Sequence, residues 1–166
     1  MEVQLPLPGE RKFNPPVGYS KRSGEDIPED PRNICILRLS SIGDVIHTLP
    51  VAQRLRRRFP DARITWVAEK AMAPLIKHHP AVDQLLLVDT KRWRHGPLSP
   101  AVWKEVYRFL QYFRSQGFDV ALDFQGLFKS AALARISGAP RRIGMSRFDR
   151  KERWSSFLLN EFSVQT

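Results

Sequence analysis

The chain has 166 residues, 42% of them hydrophobic, and a formal net charge of +10 at neutral pH. That length suits one domain with a real core, and no apolar run reaches the roughly 18 residues expected of a membrane span. A single cysteine, Cys35, excludes a disulfide framework and makes the cytoplasm the expected compartment.

Residues 1–33 hold six of the 13 prolines and little periodicity, so they read as a disordered, proline-rich leader. The leader carries five basic and six acidic side chains, which leaves 22 basic against 11 acidic over the remainder. Such a field attracts anions: nucleic acid, an anionic membrane face or a phosphorylated substrate. Charge does not choose among them.

From Ile34 the pattern alternates. The run ICILRL (34–39) is β-type, and Cys35 within it reads as a small buried hydrophobe. A helical stretch follows, in which Val45, Leu49, Ala52, Leu55 and Phe59 recur at three- and four-residue steps and form one apolar face. Arg56, Arg57 and Arg58 read as a solvated face. Pro50 is at odds with a helix interior, so the helix either kinks there or begins near Thr48. Further β-type runs are RITWVA (63–68), QLLLVD (84–89), DVALDF (119–124) and RRIGM (141–145). The segment DTKRWRHG (89–96) reads as a loop. Val102, Val106, Phe109, Leu110 and Phe113 mark a second helix, residues 126–136 a third, and 151–159 a fourth.

Strand alternating with helix predicts βαβ units and an α/β fold: a Rossmann-like parallel sheet with helices on both faces. Ligands of such sheets sit beyond the carboxyl ends of the strands. That edge would collect SSIGD (40–44), DTKRWRHG (89–96) and the residues after DVALDF.

Asp44 is the carboxylate at the first of these positions. Aspartate is a preferred helix N-cap, and its charge suits the positive end of a helix. A helix terminus lowers its pKa, which keeps it ionised and makes it a weaker base. The surrounding loop holds only Gly43, so it is neither a dinucleotide fingerprint nor a P-loop. In DFQGLFKSAAL (123–133) the alanines suit close packing, while Asp123, Gln125 and Lys129 stay open between packing and a site. Lys91, Arg92 and Arg94 around Trp93 are either a solvated basic loop or a clamp for phosphate or carboxylate, for which the arginine fork is suited. His78 and His79 lack a partner at metal spacing, so no metal is expected.

The strings ILRLSSIGDVIHTLP, ITWVAEKAMAPL, KRWR and DVALDFQGLFKSAAL, in this order and spacing, resemble glycosyltransferase family 9 over roughly residues 34–160. S-S-x-G-D-x-x-H-T-L-P and D-x-Q-G-L-x-K-S-A are long shared patterns, and the G-D element resembles the type I branch of that family. The resemblance implies the two-domain GT-B architecture, with this chain as its N-terminal, acceptor-binding half. It implies an inverting, metal-independent heptosyltransferase of lipopolysaccharide core biosynthesis, which uses no cofactor. Heptose would move from ADP-heptose to Kdo-lipid A, by a peripheral protein on the cytoplasmic face of the anionic inner membrane. Asp44 matches the family's proposed general base. Lys91, Arg92 and Arg94 match its basic acceptor-binding loop, and Lys151 falls near a further basic position of the same role. Ser41, Gly43 and Gln125 belong to the matching strings and are expected at the acceptor; His47 belongs to the strings too, with its role open. The family pattern places a donor-binding half after this one. With residues 161–166 as a short tail, the isolated chain is expected to be an inactive fragment. The alternative is a stand-alone binding module for anionic glycolipid or membrane surface. A nucleic-acid-binding domain is suggested by charge alone and lacks a reading motif.

Overall fold

The computed structural model describes residues 30–95, 99–144 and 158–162. Five strands form the body of one sheet: β1 (Asn33–Leu37), β2 (Arg63–Glu69), β3 (Gln84–Val88), β4 (Val120–Asp123) and β5 (Arg141–Gly144). A two-residue strand, β6 (Glu161–Phe162), adds to the edge, and the spatial order is β3-β2-β1-β4-β5-β6. All pairings are parallel, with Leu37 of β1 level with Val67 on one side and Asp123 on the other. The expected strands are all present, RRIGM as far as Gly144. Strand β1 starts one residue before the apolar run, and the amides of Arg32 and Asn33 donate to Asp119 Oδ2 at 2.8 and 2.9 Å.

The period of two along β1 builds two cores. Cys35 and Leu37 face one side, with Phe109 and Phe113 of α4 (Pro100–Ser115) and Ala131, Leu133 and Ala134 of α5 (Phe128–Ile136). Ile34 and Ile36 face the other side, with Val45 and Ala52 of α1 (Ile42–Arg58), and with Met72 and Ile76 around the short α2 (Ala73–Ile76). The alanines of α5 do pack closely on the sheet, as their size suggested. Cys35 is fully buried, and burial pushes its thiol pKa well up, so it behaves as a core hydrophobe.

Three local readings change. Arg56 is not on a solvated face: its guanidinium pairs with Asp83, and its Nη1 donates to the Pro60 and Ala62 carbonyls at 2.9 and 2.6 Å. Helix α1 runs unbroken from Ile42 through Pro50 to Arg58. Pro50 lies on the exposed side of the helix, where the carbonyl it leaves unpaired can be hydrated. The basic segment after β3 is a helix, α3 (Thr90–His95), and not a loop. Asp89 follows β3 and caps that helix: its Oδ1 accepts from the Arg92 amide at 3.0 Å, and its carbonyl from the Trp93 amide at 3.0 Å. Trp93 then seats on Phe109, with ring centroids 5.5 Å apart, and the stack continues through Phe113 to Phe118. The expected helix at 151–159 falls almost wholly outside the described residues, as does most of the leader.

Phe113 sits at the centre of that stack and is fully buried. Phe113→Ala is expected to lower unfolding free energy by about 3–5 kcal/mol, read as a reduced urea midpoint at unchanged slope.

Candidate active site at the carboxyl ends of the strands

Strand order reverses between β1 and β4, and the helices that follow these two strands pack on opposite faces. Such a reversal opens a crevice at the strand ends. The two loops that border it are tied to each other. Gln125, just past β4, accepts through Oε1 from the amides of Leu39 and Ser40 at 2.9 and 3.2 Å. Arg38, just past β1, donates through Nη1 to the Phe124 carbonyl. The turn after β4 is set from beneath by buried Asp123, whose Oδ1 accepts from the amides of Gln125 and Gly126 at 3.0 and 3.2 Å. Gly126 supplies the positive φ of 69° that the turn requires.

Asp44 stands on this rim. The N-cap of α1 is Ser41, with Asp44 two residues inside the helix, in its first turn. The capping role expected of Asp44 is therefore partly taken by Ser41. Asp44 returns the contact: its Oδ2 accepts from the Ser41 amide at 3.2 Å and from the Ser41 hydroxyl at 3.1 Å. Its Oδ1 lies 2.6 Å from Arg38 Nη2. Even so, 41% of the Asp44 side chain is exposed, against 11% for Arg38. The Ser41 amide is the main cause that holds the Asp44 carboxyl below its ordinary pKa; desolvation, next in size, opposes it, and the Arg38 charge and the Ser41 hydroxyl add smaller lowering effects. The group is thus an ionised carboxylate at neutral pH, gripped on two sides and open on another.

Gly43, one position earlier, is exposed, and nothing lies within 4 Å of where a Cβ would stand. A larger residue fits there, so the fold does not explain the glycine. His47 is exposed one turn further along α1.

A second cluster crosses the strand ends toward α3. Glu69, at the end of β2, accepts from the Thr90 amide at 3.2 Å and from the Thr90 hydroxyl. Lys129 of α5 lies 3.8 Å from the same carboxylate and 3.5 Å from Thr90 Oγ1. Lys129 thus ties the start of α3 to the start of α5. Of the three basic residues on α3, Lys91 and Arg94 are exposed. Arg92 turns toward α4, where its Nε is 3.3 Å from Glu105 Oε2. The N–H is not aimed at that oxygen, and Nε is buried without a hydrogen bond. Lys151 lies outside the described residues. Among the described residues no three His, Cys, Asp or Glu side chains gather as metal ligands would.

The structure therefore brings Ser41, Gly43, Asp44 and Gln125 to one crevice and links it to the helix bearing Lys91, Arg92 and Arg94. Gln125 does so as a stitch between loops, with its carbonyl oxygen occupied. Arg38, Glu69 and Thr90 are rim residues that the sequence reading passed over. The available signal for Arg38 was a lone guanidinium near the end of an apolar strand run.

Comparison with known proteins agrees with this sheet architecture. Residues 106–165 match the family model described as glycosyltransferase family 9 (heptosyltransferase). The chain is 35% identical over 119 residues to lipopolysaccharide heptosyltransferase 1 of Pseudomonas aeruginosa, covering 72% of this chain and 34% of that protein. It is 32% identical over 127 residues to the Escherichia coli K12 protein of the same name, covering 76% of this chain and 40% of that one. The solved E. coli heptosyltransferase WaaC with ADP-2-deoxy-2-fluoro heptose superposes with a TM-score of 0.72 at 32% identity, covering 79% of this chain and 42% of that structure. The chain thus spans well under half the length of the relatives it matches. In sequence pattern and in sheet architecture alike, this chain is similar to glycosyltransferase family 9 over about three quarters of its length.

Proposed function

We propose that the chain is the acceptor-binding part of a heptosyltransferase that moves heptose from ADP-heptose to Kdo-lipid A in lipopolysaccharide core synthesis. The observation that carries this reading is the exposed, ionised Asp44 at the crevice where strand order reverses. A Kdo hydroxyl would lie against the free side of that carboxylate. As its oxygen attacks the anomeric carbon of heptose, the new carbon–oxygen bond forms on one face. The bond to the diphosphate breaks on the opposite face, ADP leaves, and Asp44 takes the hydroxyl proton. The anomeric carbon is inverted, and one base on the acceptor side suffices. In the family architecture ADP-heptose is held mainly by a second Rossmann-like half.

The surrounding charge suits such an acceptor. Lys91 and Arg94 face solvent on α3 and would meet its carboxylates and phosphates. The open space above Gly43 would let the sugar approach the first turn of α1.

A further reading, compatible with the first, is supported by α4. Its outer face carries Trp103 and Tyr107, each 61% exposed, beside exposed Lys104, Arg108 and Arg114. Aromatic rings amid basic side chains suit an anionic bilayer surface. We place the protein peripherally on the cytoplasmic face of the inner membrane, where its acceptor is a lipid. Among the described residues no helix is long and apolar enough to cross a membrane.

Four outcomes test the transferase reading. The chain should bind de-O-acylated Kdo-lipid A in calorimetry. Joined to the donor-binding half of the E. coli relative, it should transfer heptose from ADP-heptose. In that assay Asp44→Asn should retain acceptor binding and lose about 10²–10⁴-fold in rate. The wild-type rate should hold down through mild acid and fall only below the ordinary aspartate value of about 3.9, because the Asp44 pKa is lowered. An unchanged rate in Asp44→Asn removes the base assignment, and absence of acceptor binding removes the whole reading.

Gly43→Ala separates folding from function. It should keep the fold and raise stability by roughly 0.5–1 kcal/mol through helix propensity, while acceptor affinity falls by tenfold or more. Full affinity in the alanine variant would show that the acceptor does not approach α1 there.

Vesicle co-sedimentation tests the α4 face. Binding to phosphatidylglycerol-containing vesicles should weaken with salt. Lys104→Glu with Arg108→Glu should weaken it by at least the ~1 kcal/mol per basic residue expected near such a surface. Equal binding to neutral and anionic vesicles would place the membrane contact elsewhere or nowhere.

A further inference from the structure

Arg38 is among the most constrained side chains at the crevice. Its Nη2 meets Asp44 Oδ1 at 2.6 Å, its Nη1 donates to the Phe124 carbonyl, and its own carbonyl accepts from Trp66 Nε1 at 3.1 Å. Its Nε is buried and finds no hydrogen-bond partner. A guanidinium taken this far out of water, with one N–H unsatisfied, is unfavourable for stability by itself. The loops on either side of it are already joined by the two hydrogen bonds of Gln125. A second staple does not account for a charge at this position. What Arg38 adds is a fixed cation against the carboxylate.

We infer that Arg38 is the positioning residue of this site, which holds the Asp44 carboxylate at one orientation on the crevice rim and supplies its counter-charge. The inference rests on Asp44 being the base proposed above. With Arg38 on Oδ1 and Ser41 on Oδ2, both side-chain torsions of Asp44 are fixed, so its open side points one way. The counter-charge matters for the acceptor class proposed. Carboxylates and phosphates arriving at the rim would push the Asp44 pKa up by like-charge repulsion, and would be repelled by it in turn. Arg38 opposes both effects from beneath, without being withdrawn from the carboxylate. The remaining charged groups on the surrounding elements do not substitute for it. His47 lies a turn away on α1, Asp123 is buried under the turn after β4, and Lys129 of α5 is engaged with Glu69 of β2.

Two measurements on the full chain and its donor-joined form test this. The first follows the carboxyl carbon of Asp44 by NMR against pH, in wild type, Arg38→Met and Arg38→Lys. The Asp44 midpoint should rise in Arg38→Met and return toward wild type in Arg38→Lys, which keeps the charge. An Asp44 midpoint that is the same in Arg38→Met as in wild type overturns the inference. If Arg38→Met does not fold, the wild type alone decides. The Arg38 guanidinium resonances must then shift with the same midpoint as the Asp44 carboxyl, and separate midpoints overturn the inference.

The second measurement is heptose transfer. Arg38→Met should lower kcat at least tenfold with KM changed less than threefold, and its acid limb should move up with the Asp44 midpoint. Arg38→Lys should recover most of kcat. A merely structural Arg38 would lower activity without moving the acid limb. An Asp44 midpoint that moves while the acid limb stays put leaves the Arg38–Asp44 pairing standing and removes Asp44 as the base.

Discussion

Two adjacent parallel strands, β1 and β4, send their helices to opposite faces of the sheet, and the rest of the rim depends on that divergence. A gap opens where the two chains part, with backbone donors and carbonyls on both sides that the sheet no longer pairs. Buried polar groups of this kind need partners. Gln125 and Arg38 provide them by reaching across, one from each loop. The two loops are therefore braced against each other, and one of the bracing residues, Arg38, also meets Asp44. Fold stability and site geometry share the same few hydrogen bonds.

That sharing resolves the double reading of Asp44. The residue helps to close the first turn of α1 through Ser41, and it still leaves one side of its carboxylate to solvent. Capping and the proposed base role would use different lone pairs. The cost falls on basicity: every contact that fixes the carboxylate also stabilises its charged form. As the proposed base, Asp44 would work by position more than by proton affinity. That suits a displacement in which the attacking hydroxyl becomes acidic only as its new bond forms.

The sheet was legible from the chain because strands buried on both faces leave near-continuous apolar runs, such as ICIL and ITWVA. The crevice was legible because alternating elements dictate where strand ends lie. Asp44, Ser41 and Gly43 could be placed there from short-range pattern alone. What pattern did not show is carried by contacts between residues far apart in the chain. Arg38 reaches Phe124 across 86 positions, and Lys129 reaches Thr90 across 39. Segment 90–95 looked like a basic loop because six residues are too few for helical periodicity to register. Its helical form depends on an aspartate cap and on Trp93 finding Phe109. Arg92 and Gln125 each turned out to be engaged with the protein itself, a fact that composition at a loop position does not reveal.

Cys35 lies in the middle of β1, sealed from solvent and flanked by strands on both sides. As the chain has one thiol, a maleimide or disulfide reagent has a single target. That target is reached only when the central strand lets go of its neighbours. Reaction speed then counts openings of the same strand from which the Arg38–Ser41 loop departs. Any molecule that settles on the closed form slows the count in proportion to its occupancy. The protein thus carries an intrinsic chemical timer beneath its own crevice, by which candidate sugars and lipids can be ranked without a turnover assay.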